Sequence, residues 1–163
     1  RDRSPSRGLG DVYKRQVLDH ITIAVTAMDD AARDERSTID RLMTSLRSLV
    51  EETGAGLIII SHLRKTDSKS CPFEQGGSIS MDDLRGSGSL KQLPDTILAI
   101  ERNQQTEDED ERNVLRLRVL KCRFTGDTGL ADKVRFNKKT NRLEPIDPLD
   151  TTDTKGEEDA CPF

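Results

Sequence analysis

Two stretches of this chain decide how its fold is interpreted, DDLRGSGSLKQLPD (residues 82–95) and KCRFTGDTG (residues 121–129). The first predicts a Gly-Ser-Gly loop followed by a short helix over residues 88–93, because Pro94 limits further extension of the helix. Residues 96–100 then form an apolar run of the length expected for a buried strand. Residues 114–124 alternate apolar and basic side chains, which predicts a strand with one solvent-exposed face.

Outward from this centre, the sequence indicates an α/β protein. Apolar and β-branched residues over 17–25 predict a buried strand. Residues 39–50 carry apolar side chains at helical spacing, and Gly54 is placed to end that helix. Residues 57–60 form a continuous apolar run typical of parallel sheets that are buried on both faces. A turn-forming segment within residues 134–144 predicts a β-hairpin.

Composition limits the class of protein. With 163 residues, 33% hydrophobic content and only five aromatic residues, the chain is poor in core-forming side chains, so we expect part of its apolar surface to lie against something outside this chain. No apolar run approaches the roughly 20 residues needed to cross a bilayer, which predicts a soluble, intracellular protein with no membrane partner. Cys71, Cys122 and Cys161 are too widely spaced for a zinc site and are interpreted as free thiols in a reducing compartment.

Charge is distributed unevenly along the chain. The net charge of −4 conceals ten Lys/Arg and two Asp over residues 112–142, a local net charge of +8. Residues 143–163 contain seven Asp/Glu and one Lys, a local net charge of −6. A basic segment of this kind is either a solvated sheet face or a nucleic-acid surface, and charge alone does not distinguish the two.

The chain is expected to comprise three parts. Residues 1–16 are polar and without periodicity, and DVYKRQ (residues 11–16) resembles translated adapter sequence, so we predict a non-native or disordered leader. Residues 17–145 carry the structural patterns, and residues 146–163 predict an acidic disordered tail. No Gly-x-x-x-x-Gly-Lys-Ser/Thr phosphate loop occurs in the 163 residues.

The two central stretches, together with Leu-Asp-His-Ile at residues 18–21, resemble the C-terminal helicase domain of the bifunctional primase-helicases of T-odd bacteriophages. Mitochondrial Twinkle and the bacterial DnaB-type ring helicases are more distantly similar. The resemblance implies an N-terminally truncated, incomplete RecA-like P-loop NTPase core with a mostly parallel central sheet, flanking helices and a C-terminal β-hairpin. It also implies a homo-hexamer in the bacterial host cytoplasm that uses ATP or dTTP with Mg²⁺ to translocate on single-stranded DNA, 5′ to 3′, and unwind duplex at the replication fork.

The resemblance assigns two residues to the nucleotide site and a third to its coupling with DNA. Asp19 corresponds to the Walker B aspartate, which holds Mg²⁺ through water, although one Asp after two apolar residues could equally occupy a surface turn. His62 corresponds to a γ-phosphate sensor, whereas a lone His at a strand end is usually structural. Gln92 would couple the nucleotide state to DNA, or is an ordinary exposed helix residue.

Four further residues are implied to act on the nucleotide. Arg123, with Lys121, matches the arginine that ring helicases insert into the ATP site of the neighbouring subunit, although exposed basic residues on a strand would explain both. Arg102 and Phe136 match positions that stack on the nucleotide base, and Phe136 could instead belong to the core.

Basic and glycine residues in two loops are the DNA-binding candidates. Lys and Arg attract phosphates without regard to base sequence, and glycines permit a close approach of the backbone. The candidates are Arg64, Lys65, Lys69, Arg85, Gly86, Ser87, Gly88 and Lys91.

The acidic tail, which ends in Phe163, resembles the phage helicase tail that docks on the replicative DNA polymerase, with a solvating tail as the alternative. Two other functions stay open at this point. One is a RecA- or KaiC-type ATPase of recombination or signalling, and the other is a non-catalytic ring or polymerase-docking module.

Overall fold

The computed structural model describes residues 15–28, 34–65 and 71–146. The chain divides into two compact units, of which the first contains the described residues up to Arg64 together with Leu84–Pro94. The second contains Lys65 and the described residues of 71–83 and 95–146. Within these ranges, no helix is both long and apolar enough to cross a membrane. Most of the predicted leader and nearly all of the predicted acidic tail lie outside the described residues.

The first unit is built on two parallel strands and three helices. Its elements are β1 (Arg15–Leu18), α1 (Ile21–Thr26), α2 (Glu35–Thr53), β2 (Gly56–Ile59) and α3 (Ser89–Gln92). Strands β1 and β2 pair in parallel, with Leu18 opposite Ile59. The core of the unit contains the buried side chains of Ile21, Val25, Ile39, Met43 and Leu90.

The prediction of one buried strand over residues 17–25 is wrong. The strand begins at Arg15 and ends at Leu18, and a helix follows from Ile21 to Thr26. Ile21 and Val25 are buried, and their spacing of four residues places both on one side of a helix. A short apolar run does not distinguish a strand from a buried helix, which is why the pattern misled.

Helix α2 confirms the helix predicted over residues 39–50 and extends it at both ends. The carboxylate of Asp34 accepts hydrogen bonds from the backbone N–H groups of Arg36 and Ser37 at 3.0 and 3.2 Å, so Asp34 is an N-cap. Gly54 ends the helix with φ of 65°, a left-handed conformation that glycine adopts without steric cost.

The parallel pairing expected of the 57–60 segment is confirmed, but its predicted burial on both faces is wrong for the described chain. Ile58 is 55% exposed, and Val17, its partner in the strand register, is 65% exposed. One face of the strand pair therefore carries apolar side chains that the first unit does not cover.

The second unit is an antiparallel meander. Its elements are β3 (Thr96–Glu101), α4 (Glu109–Arg112), β4 (Val114–Cys122), β5 (Gly129–Asn137) and β6 (Arg142–Pro145), in the sheet order β3-β4-β5-β6. The β5–β6 pair confirms the predicted hairpin. The described chain is thus a mixed α/β protein, and the expectation of a mostly parallel sheet is wrong for it, because three of its four strand pairings are antiparallel.

Strand β3 places a carboxylate inside the second unit. Its side chains alternate, so that Ile97, Ala99 and Glu101 are buried. Glu101 is only 2% exposed. Its carboxylate lies 2.7 Å from Nε of Arg118 and 3.6 Å from Nε of Arg116.

Glu101 also fixes the loop that precedes the sheet. Its Oε1 accepts a hydrogen bond of 2.9 Å from the backbone N–H of Ile79. The guanidinium of Arg116 donates to the carbonyl of Gly76 in the same loop. Two arginines from the basic segment are therefore used to hold a buried carboxylate and a loop, as buried charges require partners.

We predict that Glu101→Gln destabilises the chain. The change leaves the arginines without their buried counter-charge, and breaking a buried pair costs about 3–5 kcal/mol. Because both arginines are partly exposed and can be hydrated, we expect about 2–3 kcal/mol, measured as the free energy of unfolding in urea. Glu107→Gln, at an exposed position, is the matched control, and equal small effects of the two changes would contradict the prediction.

Candidate functional site

Two predicted site residues lie at the same edge of the parallel pair. Asp19 follows β1 directly, and His62 lies three residues beyond β2. The ladder continues past both strands, because the N–H of Ile60 donates to Leu18 at 2.9 Å and that of Ile21 donates to Ile60 at 3.1 Å. The carboxyl ends of parallel strands are the usual place for ligands in α/β proteins.

The imidazole of His62 packs against that of His20. The ring centroids are 4.0 Å apart and the ring planes meet at 69°, an edge-to-face arrangement. His20 is half-buried, whereas Asp19 and His62 are exposed. The strand edge therefore presents a carboxylate and an imidazole, and the second of these is supported by another ring.

His62 also connects this edge to the Gly-Ser-Gly loop. Its carbonyl accepts a hydrogen bond of 3.0 Å from the backbone N–H of Arg85. Next to it, Leu63 and Leu84 form an antiparallel β-bridge. Arg85, the first residue of the candidate DNA-binding loop, is thus hydrogen-bonded directly to His62, the residue predicted to sense phosphate.

The two glycines of the loop differ in what they require. Gly86 has φ of 126°, and a Cβ there would lie 2.9 Å from Leu90 Cδ1 and 3.1 Å from Ile39 Cδ1. Gly86 therefore brings the backbone onto the core. Gly88 has φ of −61°, and the nearest atom to a Cβ there is Nε2 of Gln92 at 3.9 Å.

A hydrogen-bonded group fixes the middle of the loop. Ser87 is buried, and its hydroxyl lies 2.5 Å from that of Ser89. Hydrogen bonds from Ser87 and then Ser89 lower the pKa of Asp40, on α2, below its ordinary value. The Ser87 side chain thus faces α2, so a contact of this residue with DNA would use its backbone.

The remaining candidates on the first unit are charged or polar side chains near the surface. Arg85 is exposed and forms an ion pair of 3.9 Å with Glu35. Gln92 is exposed and Lys91 half-buried, and both belong to α3. Arg64 is exposed, as is Lys65 at the start of the second unit. Lys69 lies outside the described residues.

In the second unit, Arg123 is held at the end of β4. Its guanidinium forms an ion pair of 3.1 Å with Asp95, and its backbone N–H donates to the Asp95 carbonyl at 2.8 Å. The Arg123 side chain is 58% exposed. Lys121 lies on β4 opposite Ile97. Cys122 lies between these two basic residues in the sequence, and hydrogen bonds from Thr125 lower the pKa of its thiol.

Arg102 and Phe136 are attached to consecutive residues. Nε of Arg102 donates to the carbonyl of Arg112 at 2.6 Å. The backbone N–H of Phe136 donates to the carbonyl of Asn113 at 2.8 Å. Both side chains are half-buried, so the second unit brings this predicted pair to one segment just before β4.

Three residues of these groups were not identified from the sequence. The sequence assigns no role to His20, although its place beside Asp19 is a usable signal. Asp40 and Asp95 carry no local signal, because their partners lie dozens of positions away in the sequence. Cys71 and Cys122 form no disulfide within the described residues, and Cys161 and Phe163 lie outside them.

Comparison with known proteins defines the class. The family model of the DnaB-like helicase C terminal domain matches residues 11–145, and the chain belongs to this family. The DNA helicase/primase of Enterobacteria phage T3 is 51% identical over 129 residues, which cover 79% of this chain and 22% of that protein. The chain thus spans about a fifth of the length of this relative.

We predict that Gly86→Ala destabilises the first unit while Gly88→Ala does not. The conformation of Gly86 costs about 1–3 kcal/mol for a residue with a Cβ, and the added methyl would also press on Leu90. At Gly88 a methyl group would make an ordinary van der Waals contact with Gln92 Nε2 at 3.9 Å, and the backbone there is already helical. Thermal unfolding of the two variants measures the difference, and equal melting temperatures would contradict the role assigned to Gly86.

We predict that Asp40→Asn lowers stability at neutral pH and that the difference disappears in acid. Since the pKa of Asp40 is lowered by folding, its contribution is present above the unfolded value of about 3.9 and is lost as pH falls through the folded value. Melting temperatures of both proteins between pH 7 and pH 2 test this expectation. Glu52→Gln, an exposed change on the same helix, is the control, and a difference independent of pH would argue against the carboxylate.

Proposed function

We propose that the chain is part of the motor of a ring-shaped replicative DNA helicase. This motor couples NTP hydrolysis to translocation on single-stranded DNA and to duplex unwinding. The observation that carries the proposal is the connection of His62, at the strand edge shared with Asp19, to the backbone of the Arg85 loop. Membership of the DnaB-like family supports it.

At the strand edge, Asp19 would hold Mg²⁺ through water, and the ion would neutralise charge on the phosphates of the substrate ATP or dTTP. No group of three or more His, Cys, Asp or Glu suited to a metal occurs in the described part of the chain. Mg²⁺ keeps several waters and is usually bound through one or two carboxylates together with substrate phosphates, and Asp19 supplies one such carboxylate. Asp19 is exposed, so it can hold the ion through a water molecule.

His62 and Gln92 relate the nucleotide to the DNA-facing loop. An exposed imidazole at the strand edge can donate a hydrogen bond to a γ-phosphate oxygen and lose it after hydrolysis. The hydrogen bond from Arg85 to the carbonyl of His62 passes a displacement of that residue to the loop. Gln92, at the end of α3, responds to the same change from the opposite end of the loop.

Arg123 completes the site of a neighbouring subunit in a homo-hexamer. A guanidinium supplied across a subunit interface stabilises charge on the transferred phosphoryl group. The exposed position of Arg123 supports this role, and Lys121 adds positive charge near the end of β4. Arg102 and Phe136 stack on the base of the nucleotide, through a planar guanidinium and a ring.

Single-stranded DNA is bound through its phosphates. Arg64, Lys65, Lys69, Arg85 and Lys91 supply cations, and backbone N–H groups at Gly86, Ser87 and Gly88 can approach phosphate oxygens closely. Such binding is independent of base sequence and weakens with salt. The replicative DNA polymerase is the proposed partner of the acidic tail, through Phe163.

A chimaeric protein tests the function as a whole. Residues 17–145 replace the matching segment of the phage T3 DNA helicase/primase, and NTP hydrolysis and unwinding of a forked duplex are measured with and without single-stranded DNA. DNA-stimulated hydrolysis with unwinding supports the proposal. Strand exchange without unwinding would favour a RecA-type ATPase, and neither activity from an assembled ring would favour a docking module.

We predict that Arg123→Ala lowers kcat of this chimaera by about 1,000-fold or more, the effect of losing an arginine finger. Arg123→Lys should not restore it, because a point charge lacks the planar fork. Arg142→Ala, at an exposed basic residue on β6, is the control and should leave kcat unchanged.

Mixing subunits distinguishes action in trans from action in cis. Rings made from Arg123→Ala and Asp19→Asn subunits contain some interfaces at which an intact Asp19 meets an intact Arg123 of the neighbour. We expect such mixtures to exceed the summed activities of the two separate variants. No gain on mixing would refute the assignment of Arg123 to the neighbouring site.

A further inference from the structure

His20 has a side chain that the proposed function does not use. It occupies the N-cap position of α1, yet its side chain makes no capping hydrogen bond. Its Nδ1 is buried and has no hydrogen-bond partner among the described residues. The described contact of the His20 ring is its edge-to-face packing against the ring of His62.

The backbone of His20 is anchored, which makes the ring a fixed support. Its carbonyl accepts a hydrogen bond of 3.1 Å from the N–H of Ile23. The next residue, Ile21, is buried in the core and donates to Ile60 at 3.1 Å. The His20 ring is therefore carried by a segment that is joined to both the helix and the strand ladder.

The backbone of His62 is anchored by Arg85, but its side chain has little support of its own. It is exposed and lies beyond the end of β2, and the terminal torsion of a histidine ring has a broad range. An aromatic neighbour at 4.0 Å in an edge-to-face arrangement limits that range. The orientation of His62 thus depends on the ring beside it.

We infer that His20 is a positioning residue that sets the orientation of the His62 imidazole through ring packing. The inference rests on the proposed function, in which His62 contacts a phosphate of the nucleotide. A correctly oriented nitrogen is what such a contact requires, and a displacement of about 1 Å can reduce a rate by about 100-fold.

Three substitutions separate ring packing from other roles of His20. His20→Phe keeps a ring and removes the nitrogens, which is tolerable because the buried Nδ1 has no described partner. His20→Asn places a polar atom near the position of Nδ1 and is a favourable N-cap for α1, but it has no ring. His20→Ala removes both features.

The first test is NMR of the complete 163-residue chain with labelled histidine. We expect the ring-current shift and the slowed motion of the His62 ring to be lost with Ala and Asn and retained with Phe. Melting temperatures and protection of the Arg85 amide, which is bonded to the His62 carbonyl, verify that the backbone is unchanged. Three results would overturn the inference. The His62 signals could be unaltered in the Ala variant, they could be retained in the Asn variant but lost in the Phe variant, or they could be lost equally in all three variants.

The second test uses kinetics in the chimaera with the T3 protein. His20→Ala and His20→Asn should lower kcat by about 10- to 100-fold with little change in KM. His20→Phe should keep kcat close to that of the unmodified chimaera. In a His62→Ala background, His20→Ala should have no further effect. A further loss there would mean that His20 acts independently of His62 and would overturn the inference.

The two tests distinguish failure of the proposed function from failure of the positioning role of His20. If the unmodified chimaera does not hydrolyse NTP, the proposed function fails, and the NMR comparison still decides whether His20 orients His62. If the chimaera is active but the three variants behave alike, the proposed function stands and the positioning role is excluded.

Discussion

The register between β1 and β2 is the constraint on which the candidate site of the first unit depends. In this parallel register Leu18 lies beside Ile59, and the hydrogen bond from Ile60 to Leu18 continues the ladder. The residues that follow each strand are therefore brought to the same edge. A slip of one residue would move a strand by about 3.3 Å and turn its side chains to the other face. The 4.0 Å separation of the His20 and His62 rings is a product of that register.

Carboxylates fix the positions of arginines in the basic segment and of residues in the Gly-Ser-Gly loop. Glu101 holds Arg116 and Arg118, so the net charge of the basic segment overstates what it can offer to a phosphate. In the first unit, Asp40 binds the serines of the loop and Glu35 lies near Arg85. The ion pair of Arg85 is long and exposed, and such pairs contribute about 0–1 kcal/mol. A phosphate can therefore replace Glu35 at little cost.

The sequence predicted those elements whose periodicity is long or whose ends are marked. Helix α2 has both an apolar stripe and a terminal glycine, and the β5–β6 hairpin has a clear turn. Prediction was wrong at α1, where Ile21 and Val25 lie within a run too short to distinguish helix from strand. The proximity of Asp19 and His62 follows from parallel strands, whereas the pairing of Arg123 with Asp95 spans 28 positions without any local pattern.

The attachment of Arg123 to Asp95 combines two bonds with different consequences. The backbone hydrogen bond of 2.8 Å fixes the turn after β4, and it does not involve the guanidinium. The ion pair lies at the surface, with Arg123 58% and Asp95 33% exposed, so its net stabilisation is small. The guanidinium can therefore leave Asp95 for an anionic group without loosening the strand that carries it. The proposed role of Arg123 in a neighbouring subunit requires this combination of a fixed backbone and a replaceable side-chain partner.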